Sequence, residues 1–157
     1  MKHTISVLVE NKFGVLARIA GLFSARGYNI SSLAVAETLD QDISRMTIVV
    51  DAQDEKILEQ IKKQLNRLID VIMVVDFTKK EHSERELILS KVNYSAKNKA
   101  KLKALLDKYQ AKIIQCKDET AVIEFSGEQQ EIKQLVCELE QFGVKELVKT
   151  GRIAIAS

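Results

Sequence analysis

Asn11 and Gly14 are the residues of this chain whose types and spacing suit work on a ligand. They stand in Glu10-Asn11-Lys12-Phe13-Gly14-Val15-Leu16, where an apolar alternation gives way to a helical period. The Asn11 amide carries both donors and an acceptor, matched to an ammonium or a carboxylate. Gly14 allows close backbone approach and dihedrals that a Cβ opposes. The free N–H groups that open the following helix, at the positive end of its dipole, suit a small anion or a carboxylate. Val15 and Leu16 add apolar surface. Such a site fits a branched amino acid better than a nucleotide, and the spacing of Gly14, Gly21 and Gly27 does not match G-x-G-x-x-G. A plainer reading stays open: Asn11 and Gly14 only shape a turn, and Gly21 only lets the helix lie close to its sheet.

Nothing else in the chain assembles a reactive set. Cys116 and Cys137 stand 21 residues apart without a CxxC pair or a neighbouring histidine, and read as buried or half-buried free thiols. His3 opens a strand and His82 falls in a charged connector, so no metal-ligand set is available and no catalytic residue is assigned.

The elements that position the turn repeat one order twice. Ile5, Val7 and Val9 alternate with Thr4, Ser6 and Leu8 as a half-buried strand. Val15, Leu16, Ile19, Ala20, Leu22 and Phe23 then share a helical face, with Arg18 and Arg26 outside it and Gly27 as the stop. Strands follow at 30–36 and 44–51, a helix carrying Ile57, Leu58, Ile61 and Leu65, and a strand at 71–77. The polar run 79–84 reads as a connector. Beyond it come a strand at 87–94, a helix at 97–109, a hairpin around Lys117-Asp118-Glu119, a helix at 128–141 and a strand at 144–148, with 152–156 as a possible continuation. The prediction is an α+β chain of two ferredoxin-like βαββαβ domains, 1–78 and 85–157.

The strand Val71-Ile72-Met73-Val74-Val75 is apolar on both faces. Leu8, Val49 and Val74 are expected on the sheet face away from the helices, which then needs a cover. A like subunit, the C-terminal domain or a larger partner would each supply one.

Composition sets outer limits. Hydrophobic residues make up 46% and charged residues 29%, a globular balance. A net charge of +2 provides no strong field for nucleic acid or an anionic membrane, and 5% aromatics without Trp make a poor base-stacking surface. No apolar run reaches membrane-spanning length and no secretory or transit segment opens the chain, so an intracellular, cytoplasmic location is expected. Lys97, Lys99, Lys101, Lys103 and Lys108 make the second half mildly basic, as a solvated helix face or a docking face for a protein.

The run Glu10-Asn11-x-x-Gly14-Val15-Leu16-x-Arg18-Ile19-x-Gly21-Leu22-Phe23-Ser24-x-Arg26-Gly27-Tyr28-Asn29-Ile30-x-Ser32-Leu33 closely resembles the small, regulatory subunit family of acetolactate synthase. Ser44-Arg45-Met46-Thr47-Ile48, Arg85-Glu86-Leu87 and Thr150-Gly151-Arg152-Ile153-Ala154 continue the match in order, over essentially the whole chain.

The resemblance implies an N-terminal ACT domain, a βαββαβ amino-acid sensor, and a non-catalytic role. It implies a catalytic large subunit as partner, which holds thiamine diphosphate, a divalent metal and FAD, while this subunit binds no cofactor. It further implies a homodimer through ACT domains, with the feedback inhibitor valine between them. Asn11, Gly14, Val15 and Leu16 would form one wall and Asn29 with Ile30 the wall from the other chain. Ser31 and the 38–43 turn depart from or vary within the family pattern, and neither is expected to touch the pocket. A stand-alone ACT-type regulator with another protein partner is the alternative, and a small ferredoxin-like acyl-phosphate hydrolase a weaker one, since Arg18 and Arg26 leave the helix on the wrong faces to share an anion.

Overall fold

The computed structural model describes residues 1–157, which divide into two compact units, Met1–Ser83 with Arg152–Ser157, and Glu84–Gly151. In the first unit β1 (Lys2–Glu10), α1 (Val15–Ala25), β2 (Ile30–Glu37), β3 (Ile43–Asp51), α2 (Glu55–Asn66) and β4 (Val71–Asp76) follow one another. The strands form one antiparallel sheet in the order β2-β3-β1-β4. Alternation places Ile5, Val7 and Val9 of β1 and Met46, Ile48 and Val50 of β3 on one face, against Val15, Ile19, Leu22 and Phe23 of α1 and Leu58, Ile61 and Leu65 of α2. Phe23 is fully buried there, and truncating such a side chain to alanine costs about 3–5 kcal/mol.

The helix ends follow local chemistry. The Asp54 carboxylate caps α2 by accepting from the Ile57 N–H at 2.9 Å. Gly27, at φ +69°, takes the left-handed conformation that ends α1, and the Tyr28 N–H returns to the Phe23 carbonyl at 3.0 Å. Gly21 does not bring α1 close to the sheet. It is exposed, and a Cβ there would meet nothing within 4 Å.

The outer face of the sheet differs from expectation at one strand. Leu8 and Val49 lie on it, but Val74 pairs with Val7 and packs into the helix-facing core. Met73, opposite Leu8, is the β4 residue on the outer face. A strand apolar at every position has no alternation to set its parity, so the pairing decides it.

Thr4, Ser6, Thr47 and Val49 on that face are buried. Part of the cover is the chain's own C-terminus, which clusters with this unit as β9 (Ile153–Ala156). The Arg152 N–H donates to the Ser32 hydroxyl at 3.1 Å, and its guanidinium donates to Thr4 Oγ1 at 2.9 Å.

The second unit repeats the architecture. β5 (His82–Asn93), α3 (Lys99–Tyr109), β6 (Lys112–Lys117), β7 (Thr120–Gly127), α4 (Gln129–Leu139), a 3₁₀ turn at Glu140–Phe142 and β8 (Val144–Lys149) give the order β6-β7-β5-β8. Its core joins Ile88, Val92, Ile123 and Phe125 to Leu102, Leu106, Ile132, Leu135 and Leu139. The Glu128–Glu131 capping box opens α4. β5 begins at His82, so half of the polar run 79–84 is strand, and the division between units falls inside it.

Candidate functional site

The end of β1 is tied down from two sides. The Glu10 N–H donates to the Asp70 carbonyl at 2.9 Å, and the Asn11 N–H to the Asp42 carbonyl at 2.8 Å. The Asn11 side chain reaches the same hairpin turn. Its Nδ2 donates to the Gln41 carbonyl at 2.8 Å and to Glu37 Oε1 at 3.3 Å. The 38–43 turn therefore touches the candidate site directly, contrary to the sequence expectation. Both contacts use the donor end of the amide, so neither occupies the acceptor Asn11 Oδ1.

Gly14 stands at φ +83°, in the left-handed region, as the residue before α1. The helix start has no side-chain cap and no acidic residue in its first turn. The N–H of Val15 turns back to the Lys12 carbonyl at 3.3 Å, while those of Leu16 and Ala17 have no acceptor in the chain. An uncapped first turn is the arrangement that accepts a carboxylate.

The apolar components separate. Val15 is 2% exposed and belongs to the helix–sheet core, so only its backbone is available at the turn. Leu16 is half-exposed and Phe13 fully so. These two supply the greasy surface.

Arg18 supports the turn from one helical turn away. Its Nη2 lies 2.6 Å and its Nε 2.9 Å from Asp70 Oδ2. Its Nη1 lies 3.4 Å from where a Cβ on Gly14 would stand. Arg18 is thus close to the site, yet its charge is engaged by a buried carboxylate. The i,i+4 spacing from Gly14 to Arg18 was the legible signal for this neighbour; the Asp70 partner, 52 residues away, had none.

Asn29 and Ile30 are not brought to this place within one chain. Ile30 pairs with Val50, which pairs with His3, whereas Asn11 follows the opposite end of β1. About seven strand residues, roughly 23 Å, separate the two groups along the sheet. Asn29 is exposed and its carbonyl accepts from the Asp51 N–H at 3.3 Å; Ile30 is half-buried against the core.

Other candidate groups resolve simply. Cys116 and Cys137 are free and both exposed, not buried, because they fall on an open edge strand and on the outer side of α4. No group of three or more His, Cys, Asp or Glu comes together to hold a metal ion, and no helix is long and apolar enough to cross a membrane. In the second unit the Tyr94 N–H donates to the Glu119 carbonyl at 2.7 Å, repeating the Asn11–Asp42 bond of the first. A shallow cleft of about 460 Å³ opens beside it, lined by Tyr94, Lys99, Cys116, Lys117 and the Asp118–Glu119 turn.

Comparison with known proteins gives this geometry its context. Residues 5–73 match the family model described as the AHAS small subunit-like ACT domain, and residues 85–157 match the small subunit of acetolactate synthase. A probable acetolactate synthase small subunit of Archaeoglobus fulgidus is 44% identical over 99% of this chain and 96% of its own length. The acetolactate synthase small subunit of Mycolicibacterium smegmatis is 43% identical over 98% of this chain and 90% of its own length. The crystal structure of the acetolactate synthase small subunit from Thermotoga maritima superposes with a TM-score of 0.90 at 35% identity, covering 100% of this chain and 98% of that one. With both halves matched in order and the fold shared throughout, the chain belongs to the acetolactate synthase small-subunit family, its N-terminal unit an ACT domain.

Proposed function

We propose that the chain binds the catalytic large subunit of acetolactate synthase, raises its activity and makes it sensitive to valine, the product of branched-chain amino-acid biosynthesis. The observation that carries this reading is the uncapped start of α1 beside Asn11 Oδ1. The free N–H groups of Leu16 and Ala17 meet the valine carboxylate, Asn11 Oδ1 accepts from its ammonium, and Leu16 covers the side chain. The role is regulatory rather than catalytic. The thiamine diphosphate, divalent metal and FAD chemistry belongs to the large subunit.

A second copy completes the pocket. β2 is an edge strand of its sheet. If β2 pairs antiparallel with β2 about a two-fold axis at the strand's midpoint, Ile30 at the start of one strand lies against Glu37 at the end of the other. Glu37 is hydrogen-bonded to Asn11. The two groups that lie far apart in one chain thereby meet between two, with Asn29 and Ile30 as the second wall. Valine that touches both chains favours one pairing of the ACT domains by its difference in affinity for the alternatives.

Thermal denaturation of the full chain with and without valine tests this. Valine at 100 times its dissociation constant adds about 2.7 kcal/mol, seen as a raised midpoint that Asn11→Ala abolishes, while Asn11→Ala still activates the large subunit. An unshifted midpoint for the wild-type chain, alone and with the large subunit, sinks the sensor reading.

A further inference from the structure

Arg152 spans the outer face of the first unit's sheet. Its N–H bonds Ser32 of β2 and its guanidinium bonds Thr4 of β1, and both of those residues pair with Val49 of the strand between them. Val49 beneath is 2% exposed and Thr4 5%. The tail that carries Arg152 is therefore fastened to two strands at once.

The β2 attachment falls next to an irregularity. Ile30 pairs with Val50 and Ser32 with Val49, so Ser31 is an extra residue on β2. A bulge of this kind bends its strand and interrupts the ladder, which makes it a place where a strand can change course. Asn29 and Ile30 stand on one side of the bulge and Ser32 on the other. On the far side of Arg152 the chain passes through Gly151, at φ +83°, to Thr150 and the end of β8. Two residues thus separate Arg152 from the last strand of the second unit.

We infer that Arg152 is a positioning residue that transmits the state of the effector site to the second unit. This rests on the proposed placement of valine against Asn29 and Ile30. Valine holds the start of β2, the Ser31 bulge converts that into a displacement of Ser32, and Arg152 carries the displacement into the chain leading to β8.

The experiment uses the full chain reconstituted with its large subunit, as wild type, Arg152→Ala and Ser32→Ala. Valine binding to the small subunit alone is measured by calorimetry, and inhibition by titrating valine into the active complex. Both variants are expected to bind valine within about 3-fold of wild type, while the valine needed for half-inhibition rises about 5-fold or more, the low end of ordinary allosteric coupling. If Arg152→Ala perturbs folding by circular dichroism, Ser32→Ala decides, since it removes one hydroxyl. Unchanged binding together with unchanged inhibition overturns the inference and leaves the valine-sensor reading intact. Equal losses of binding and inhibition overturn it too, because Arg152 would then serve the pocket. Absence of valine binding by the wild type, alone and in the complex, overturns the sensor reading and this inference with it.

Discussion

The Arg18 guanidinium sits 2.6 Å from the Asp70 carboxylate, which is largely buried, and so braces the first turn of α1 against the segment entering β4. The Asp70 backbone simultaneously holds the end of β1 through its carbonyl. Arg18→Ala leaves that carboxylate without its cation, at a cost of about 1–2 kcal/mol given that the arginine side chain is half-exposed. Asp70→Asn in the same background is expected to recover part of the loss, measured as a double-mutant cycle in urea. Additive losses would mean that the pair has no energetic coupling.

Gly21→Ala should stabilise the chain by about 0.5–1 kcal/mol. The glycine is in the middle of α1, is exposed, has ordinary helical backbone and has open space where the methyl would go. Denaturation midpoints of the two proteins measure the gain, and a loss of stability would reveal a contact made by that helix face in solution.

The β6–β7 turn is made by Asp118 and Glu119, both with positive φ, at +51° and +57°. Two consecutive left-handed residues are the geometry of a type I′ hairpin, for which Asp-Gly is preferred. Glu119→Gly relieves the Cβ clash and is expected to raise stability by about 1 kcal/mol. The Glu119 carbonyl that accepts from Tyr94 is retained in this variant, so a drop in stability would mean that the glutamate side chain itself contributes.

Acid should weaken the first unit through Asp76. Burial alone pushes this carboxyl up, but hydrogen bonds from the Thr78 hydroxyl and N–H, together with the Lys62 ammonium, outweigh it and hold the group below the usual carboxylate range. A depressed folded-state value contributes stability that is present above the unfolded pKa, about 3.9, and is lost as pH falls through the folded value. Urea midpoints collected downward from pH 5 should therefore decline less steeply in Asp76→Asn than in wild type. Parallel curves would remove Asp76 from the account.

The helices and the internal repeat were readable because their apolar residues recur at helical spacing, as Leu102, Leu105 and Leu106 do, and because Gly27 and Asp54 mark ends by local chemistry. Gly14 was readable for the same reason, since a left-handed residue before a helix is a local requirement. Parity in β4 was not, because a strand apolar throughout fits either face until β1 pairs with it. Nor was the strand at His82, whose run of polar residues carries no hydrophobic signal.

The sequence by itself determined the two βαββαβ orders, the helix termini and the Gly14 turn that opens α1. Each of these depends on residues within a few positions of one another. Tertiary structure alone decided that Asn11 leans on the Gln41 carbonyl, that Arg18 finds Asp70, that Val15 turns inward and that Arg152 returns to Ser32 and Thr4. Those contacts join residues from 30 to 148 positions apart, or follow from a core built by all four strands. Such pairs are selected by the packing of the whole sheet, and no local pattern encodes them.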